Sequence, residues 1–233
     1  MKTLGIVTAR SGSKGLPGKN TRLFCGKPLI NWTIEAGIQS KLEDIIVSTD
    51  CKNIADIALN AGAQVPFLRP KSLAQDNSTS VDVIIHAINE MRIRGKQYDL
   101  VSLLEPTSPL RDAKDIDNAV EVLCSAHYSD SIVSITEAEC SHPSFLYSYS
   151  NQRLLTPYTG KHPTNIRRQD IEKLYYLEGS IYISKVSNFL EKKSFYHETT
   201  IGYLMPKEKS IEIDDLYDFI MAEALFQHSL QDS

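Results

Sequence analysis

An α/β fold with a mostly parallel sheet flanked by helices is predicted by three observations. Short apolar, β-prone runs alternate with segments of helical period; the first such run feeds a loop crowded with glycines and bases; and the alternation persists through most of the chain. The 233 residues suit a single domain spanning 1–233, and 42% hydrophobic with 23% charged residues, 11 Gly and 10 Pro is an ordinary globular composition. Collagen-like, disordered and disulfide-scaffold classes are thereby excluded.

Thr3 to Ala9 is a short apolar run that stops at Ser, Gly, Lys and Pro, so it reads as a buried strand entering a loop. After Pro28, Leu29, Ile30, Trp32, Thr33 and Ala36 form a helical stripe. A second strand is predicted over 44–49, a helix over 51–61 closing near Gly62, and a third strand over 64–68. Val81, Ile84, Ile85, Ile88 and Met91 recur at helical spacing over 80–94. Further strands follow over 100–104 and 130–136, separated by a helix over 112–125. The alternation then breaks: 137–175 is polar and aromatic, holds Pro143, Pro157 and Pro163, and shows no clean period. A stretch that long inside a domain is expected to be a lid, a subunit contact or an inserted hairpin. Strands are predicted again over 179–184, 201–205 and 210–213, with helices over 187–192 and 216–227.

Cys25, Cys51, Cys124 and Cys140 are too dispersed for a CxxC pair, and the six His show no metal-ligand spacing, which argues against structural zinc or a redox motif. No apolar run approaches the roughly 18 residues of a membrane span, and no signal-peptide pattern follows Lys2. A cytoplasmic enzyme without membrane association is expected. The net charge of −4 argues against nucleic acid as a partner. That charge is unevenly placed: Met1 to Ile34 carries six bases and no acid, whereas Glu208 onward carries seven acids and one lysine. A positive first segment and a negative last one suit an anion and a metal, respectively.

The loop Arg10-Ser-Gly-Ser-Lys-Gly-Leu-Pro-Gly-Lys-Asn20 leaves the carboxyl end of a strand, where ligands bind in open α/β sheets. Glycines at 12, 15 and 18 allow close backbone approach, and Arg10, Lys14 and Lys19 supply charge, so the loop reads as a polyphosphate cradle. It is not a Walker A loop, because five residues separate Gly12 from Gly18 and Asn follows Lys19. Nor is it a dinucleotide fingerprint, since its glycines come every third position.

Thr8 to Asn20 resembles the opening signature of the acylneuraminate cytidylyltransferases and their relatives that activate bacterial nonulosonic acids. Matches follow in order at Arg69-Pro with Leu73-Ala and Asp76, at Leu-Leu-Glu-Pro-Thr-Ser-Pro-Leu-Arg over 103–111, at Arg167-Arg-Gln, at Gly179-Ser-Ile-Tyr-Ile, and at Ile-Glu-Ile-Asp-Asp-Leu-Tyr-Asp over 211–218. The resemblance implies a Rossmann-like nucleotidyltransferase fold, CTP and a nonulosonic acid as substrates, Mg²⁺ as cofactor, and a homodimer built through the protruding 137–175 segment.

By the same resemblance, Arg10, Lys19 and Asp214 are candidate catalytic residues. Ser13, Gly15, Asn20, Arg69, Ser80, Glu105, Arg168, Glu178 and Tyr182 are candidate substrate contacts, and Glu212 with Asp214 the metal pair. Those two carboxylates stand two apart on a predicted strand, which would put them on one face. Asp215 reads instead as the cap of the last helix, with Asp218 in its first turn. A bidentate guanidinium at Arg168 suits the C1 carboxylate of the sugar, although Arg167 competes for that role. Tyr182 either packs on the sugar or belongs to the core. His86, one position off an apolar stripe, reads as a partly buried helix residue rather than a base. Glu105 stands where sialic-acid members often carry Gln, and Glu178 where they often carry Asn; a carboxylate accepts but cannot donate as an amide does, so the expectation leans towards a legionaminic-type acceptor. The alternatives are a cytidylyltransferase for another keto sugar such as Kdo, a nucleotidyltransferase acting on a sugar phosphate, and a nucleotide-sugar-binding module without turnover.

Overall fold

The computed structural model describes residues 1–12, 15–139, 141–160 and 167–231. Its first strand, β1 (Thr3–Thr8), is apolar and buried almost throughout. A minimal hairpin, β2 (Leu23–Phe24) and β3 (Lys27–Pro28), leads into α1 (Leu29–Gln39). Next come β4 (Asp44–Ser48), α2 (Lys52–Asn60), α3 (Ser80–Ile93) and β5 (Leu100–Leu104). Thr79 caps α3 by accepting from the Asp82 amide, which fixes where that helix begins beside the sheet edge. The second half adds α4 (Ala113–Ser125), β6 (Ser131–Glu137), the hairpin β7 (Tyr147–Tyr149) and β8 (Leu155–Pro157), β9 (Tyr175–Lys185), α5 (Val186–Lys192), β10 (Ile201–Leu204) and α6 (Leu216–Gln231).

The six-stranded sheet has the order β10-β6-β9-β5-β1-β4. β1 is parallel to β4 and β5, and β10 to β6, while β9 runs antiparallel to both its neighbours. Five of the six strands therefore point the same way, and the mostly parallel sheet flanked by helices is as expected. Its two faces carry separate apolar layers. One packs Ile30, Ile34, Ile54, Ala58, Ile116 and Leu123 of α1, α2 and α4; the other packs Ile84, Ile88, Met91 and Phe189 of α3 and α5. No helix among the described residues is long and apolar enough to cross a membrane.

A third, smaller apolar cluster decides the geometry of the site. Leu16 from the glycine loop packs with Phe24, Leu29, Ile213, Phe219 and Ala222, so the basic loop and the acidic segment before α6 share one support.

Three expectations need correction. The predicted strand over 64–68 shrinks to a single bridge between Ile46 and Gln64, because the chain turns away at Pro66. The predicted strand over 210–213 is not a strand; the segment is irregular and is held instead by the Ile213 amide donating to the Thr107 carbonyl at 2.8 Å. The strand predicted from 179 starts earlier, β9 beginning at Tyr175, whereas the aperiodic 137–175 stretch does contain an inserted hairpin, β7–β8, one of the readings given for it.

Candidate active site

A cleft of about 480 Å³ opens at the carboxyl ends of β1, β4 and β5. Arg10, Gly12, Gly15, Lys19 and Asn20 of the glycine loop form one wall. Arg69 and Ser80 line the cleft beyond β4, Glu105 stands at the end of β5, and Asp214 approaches from the segment before α6.

The glycine loop is held from several sides. The Ser11 amide and hydroxyl both donate to the Asp50 carboxylate, at 2.9 and 2.8 Å, which ties the loop to the end of β4. Asn20 is buried and its Nδ2 donates to the Arg10 carbonyl at 3.4 Å. Lys19 Nζ donates to the Ile213 carbonyl at 2.6 Å and lies 3.5 Å from Asp214 Oδ1. Gly15 packs so tightly on this segment that a Cβ there would collide with the Asp214 carbonyl oxygen. Arg10 turns its guanidinium to Asp76 at 2.8 Å. Arg69, buried, donates from Nε to Ser48 Oγ at 3.1 Å and from Nη2 to the Ser48 carbonyl, and burial lowers its pKa.

The acids are unequal. Burial raises the Glu105 carboxyl to about 7, with the Glu212 charge adding to the rise and the Thr8 hydroxyl, 3.1 Å away, opposing it together with Arg111 and Arg69. Glu212 is also raised, chiefly by burial and then by the charge of Asp214, against a hydrogen bond from Thr107 Oγ1 at 3.3 Å. Asp214 exposes 79% of its side chain beside the cleft. Two neighbouring carboxylates that present only hard oxygens, Glu212 made costlier to ionise by the Asp214 charge, fit a divalent cation. Among the described residues no group of three or more potential ligands is assembled. Asp215 and Asp218 form the reciprocal cap of α6, each carboxylate accepting from the other's amide, at 3.0 and 3.1 Å.

A second cavity of about 220 Å³ adjoins the first, and Ser80 and Glu105 line both. Tyr182, Phe195 and Tyr196 give it an aromatic wall, with the Tyr182 ring 5.5 Å from Phe195 and edge-on to Tyr196 at 6.3 Å. Burial and the Tyr196 neighbour hold the Tyr182 phenol protonated well above its ordinary range.

Most of the candidates thus meet around one cleft, but not all. Glu178 does not line it: 2% exposed, it accepts from the amide and hydroxyl of Ser180. Glu212 and Asp214 do not share the face of a strand, because there is no strand; the Thr107 contact and the Lys19 contact place them separately. Ser13 lies outside the described residues, as does the side chain of Arg168. His86 stacks edge-on against Phe67 at 4.9 Å and its pKa is lowered by burial, as a helix-packing residue would be. Sequence reasoning missed Asp50 as the anchor of the loop; its place directly after the strand beside β1 was the available signal.

Comparison with known proteins settles the family. A cytidylyltransferase family model matches residues 4–223. The chain belongs to the cytidylyltransferase family. It is 40% identical to the CMP-N,N'-diacetyllegionaminic acid synthase of Legionella pneumophila, over 97% of each chain. It is 39% identical to an N-acylneuraminate cytidylyltransferase of Streptococcus agalactiae, matching 94% of this chain but only 52% of that longer one. A solved CMP:2-keto-3-deoxy-manno-octonic acid synthetase, complexed with CTP, superposes with a TM-score of 0.70 at 15% identity, covering 98% and 100% of the two chains, and so shares the fold. A cytidylyltransferase is a nucleotidyltransferase, and the basic loop at the end of β1 faces the cleft as such an enzyme requires.

Proposed function

We propose that this cytidylyltransferase transfers CMP from CTP to the anomeric hydroxyl of a nonulosonic acid of the legionaminic type. The single observation that carries the reading is the junction of the two cavities at Glu105 and Ser80: a polar, basic cleft suited to a nucleoside triphosphate meets an aromatic pocket suited to a sugar's apolar substituents. Similarity to the Legionella pneumophila synthase over nearly the whole chain supports the choice of acceptor.

In the reaction the anomeric oxygen bonds to the α-phosphorus, the bond from that phosphorus to the bridging oxygen breaks, pyrophosphate leaves, and the hydroxyl proton is lost to the surroundings. Little covalent chemistry falls to the protein, so positioning and charge stabilisation carry the rate. Arg10 and Lys19, with the backbone amides of the glycine loop and Ser13, neutralise the triphosphate. Lys19 is already fixed by the Ile213 carbonyl, whereas Arg10 must leave Asp76 to reach the phosphates. Arg69, Asn20 and Ser80 border the nucleotide; Arg168 and Tyr182 take the sugar. Glu212 and Asp214 would hold Mg²⁺, which when bound supplies charge neutralisation at the phosphate oxygens.

We further propose a homodimer. The β7–β8 hairpin and the start of β9 expose Tyr149, Leu154, Leu155, Tyr158, Tyr175 and Leu177, a concentration of apolar side chains that a second copy would cover.

The test is pyrophosphate release from CTP and Mg²⁺ with N-acetylneuraminic, di-N-acetyllegionaminic, pseudaminic and Kdo acceptors in parallel. Fastest release with the legionaminic acceptor is expected. Release with Kdo alone, or CTP binding without any release, would overturn the reading.

A further inference from the structure

The floor between the two cavities is held by a residue that touches neither. Arg111 closes the Leu-Leu-Glu-Pro-Thr-Ser-Pro-Leu-Arg run, is 2% exposed, and is the largest fully buried side chain among the described residues. Its Nη1 donates to the carbonyls of Ser180 at 2.8 Å and Glu105 at 3.3 Å, and its Nη2 to Thr33 Oγ1 at 2.8 Å. Thr33 Oγ1 in turn donates to the Glu105 carbonyl at 3.5 Å.

These partners sit where the sheet comes apart. The β5–β9 ladder runs from Leu100 opposite Lys185 to Leu103 opposite Tyr182 and stops there. Continued, it would place Glu105 opposite Ser180, the two residues whose carbonyls Arg111 Nη1 now bridges while Nη2 is held by Thr33. On its other side β9 shifts register between Tyr182 and Leu177, opposite Val133 and Ile135, so residues 178–181 bulge. Within the bulge Gly179 has φ +87°, and a Cβ there would come within 2.9 Å of Glu212 Oε2. One guanidinium thus spans the gap between the end of β5, which carries Glu105, and the bulge that backs Glu212.

We infer that Arg111 is a positioning residue of the reaction: it keeps the end of β5 open from β9 and so aims the Glu105 carboxylate at the junction of the cavities. A planar fork with several donors is suited to this, because it replaces missing ladder hydrogen bonds from the side. The cation is tolerated there because Glu178, Asp115, Glu105 and Asp112 all face it; burial lowers its pKa to about 10, which leaves it charged at neutral pH. Glu178, which the sequence placed at the sugar, acquires a different part as the acid nearest in effect to this buried cation. The inference rests on the proposed function in one respect, that the acceptor lies against Glu105.

Arg111→Lys keeps the charge and loses the fork. Steady-state kinetics should show its acceptor KM raised about tenfold or more, since small misplacement of a positioning group is costly, with the KM for CTP within about twofold of wild type. Hydrogen exchange should quicken about tenfold over 105–108 and 178–181 while the β1 amides stay as slow as in wild type. Should Arg111→Lys fail to fold, Thr33→Val removes one prong's acceptor at nearly constant volume and should give the same pattern in smaller measure. Equal rises in both KM values, or unchanged exchange in the two segments, would overturn the inference. Local exchange that quickens as expected in an enzyme whose wild type ignores every nonulosonate would uphold Arg111's positioning of Glu105 and overturn the acceptor assignment.

Discussion

At the scale of single residues, the site works by contrast between neighbouring charges. Lys19 is clamped between the Ile213 carbonyl and Asp214, while Asp214 itself remains open to the cleft. Asp214→Asn should therefore lower turnover by about 10²-fold or more, as the loss of one stabilising electrostatic group commonly does, and leave thermal unfolding unchanged. Near-wild-type pyrophosphate release from that variant would remove Asp214 from the machinery. Glu105 makes a second prediction. Its folded pKa of about 7 lies above the ordinary carboxylate value, so the folded state gains from its proton: the contribution is full below the unfolded pKa and is lost as pH rises through about 7. Glu105→Gln should thus become progressively more stable than the metal-free wild type between pH 5 and pH 8. Melting temperatures that stay parallel across that range would contradict the assignment. Asp50 shows why a residue of the site escaped the sequence: it acts by holding a loop 39 positions away, and its place after a strand does not by itself name that partner.

At the scale of elements, most of the strands and helices were legible because their signals are local. The apolar run over 3–9 and the stripe of α3 each specify their element within one or two turns of chain. The short runs at 64–68 and 210–213 misled for the same reason: a few apolar residues suit a strand, but neither finds a partner along its length, and a strand without a ladder leaves its amides unpaired. The bulge of β9 depends on Gly179. Gly179→Ala would strain a left-handed backbone and press on Glu212, so a loss of roughly 1–3 kcal/mol in denaturant unfolding is expected, together with weaker dependence of rate on Mg²⁺. An alanine variant as stable as wild type would show that the bulge relaxes freely.

For the whole molecule, three apolar clusters divide the work. Two sandwich the sheet, and the third joins the basic loop to the acidic segment near the other end of the chain. The opposed charges of the first and last segments, visible in the sequence, are in this way brought to a single cleft. The aromatic hairpin lies apart from all three clusters. Tyr149→Glu combined with Tyr158→Glu should convert the proposed dimer to monomer in light scattering at micromolar concentration, whereas an unmodified protein that is already monomeric would end the dimer proposal.

By itself the sequence determined the alternation of strands and helices, the basic, glycine-rich character of the loop from Arg10 to Asn20, and the family resemblance, because these reside in residue types and short spacings. Only the tertiary structure decided which acids reach the cleft. Glu178 and Glu212 both follow apolar residues in acidic or aromatic surroundings, yet one is buried against Ser180 and the other stands near Asp214. Strand register decides the place of Glu178: where β9 stops pairing with β5 and shifts against β6, side chains change sides, and pairing between segments far apart in the chain is written in no local stretch of it.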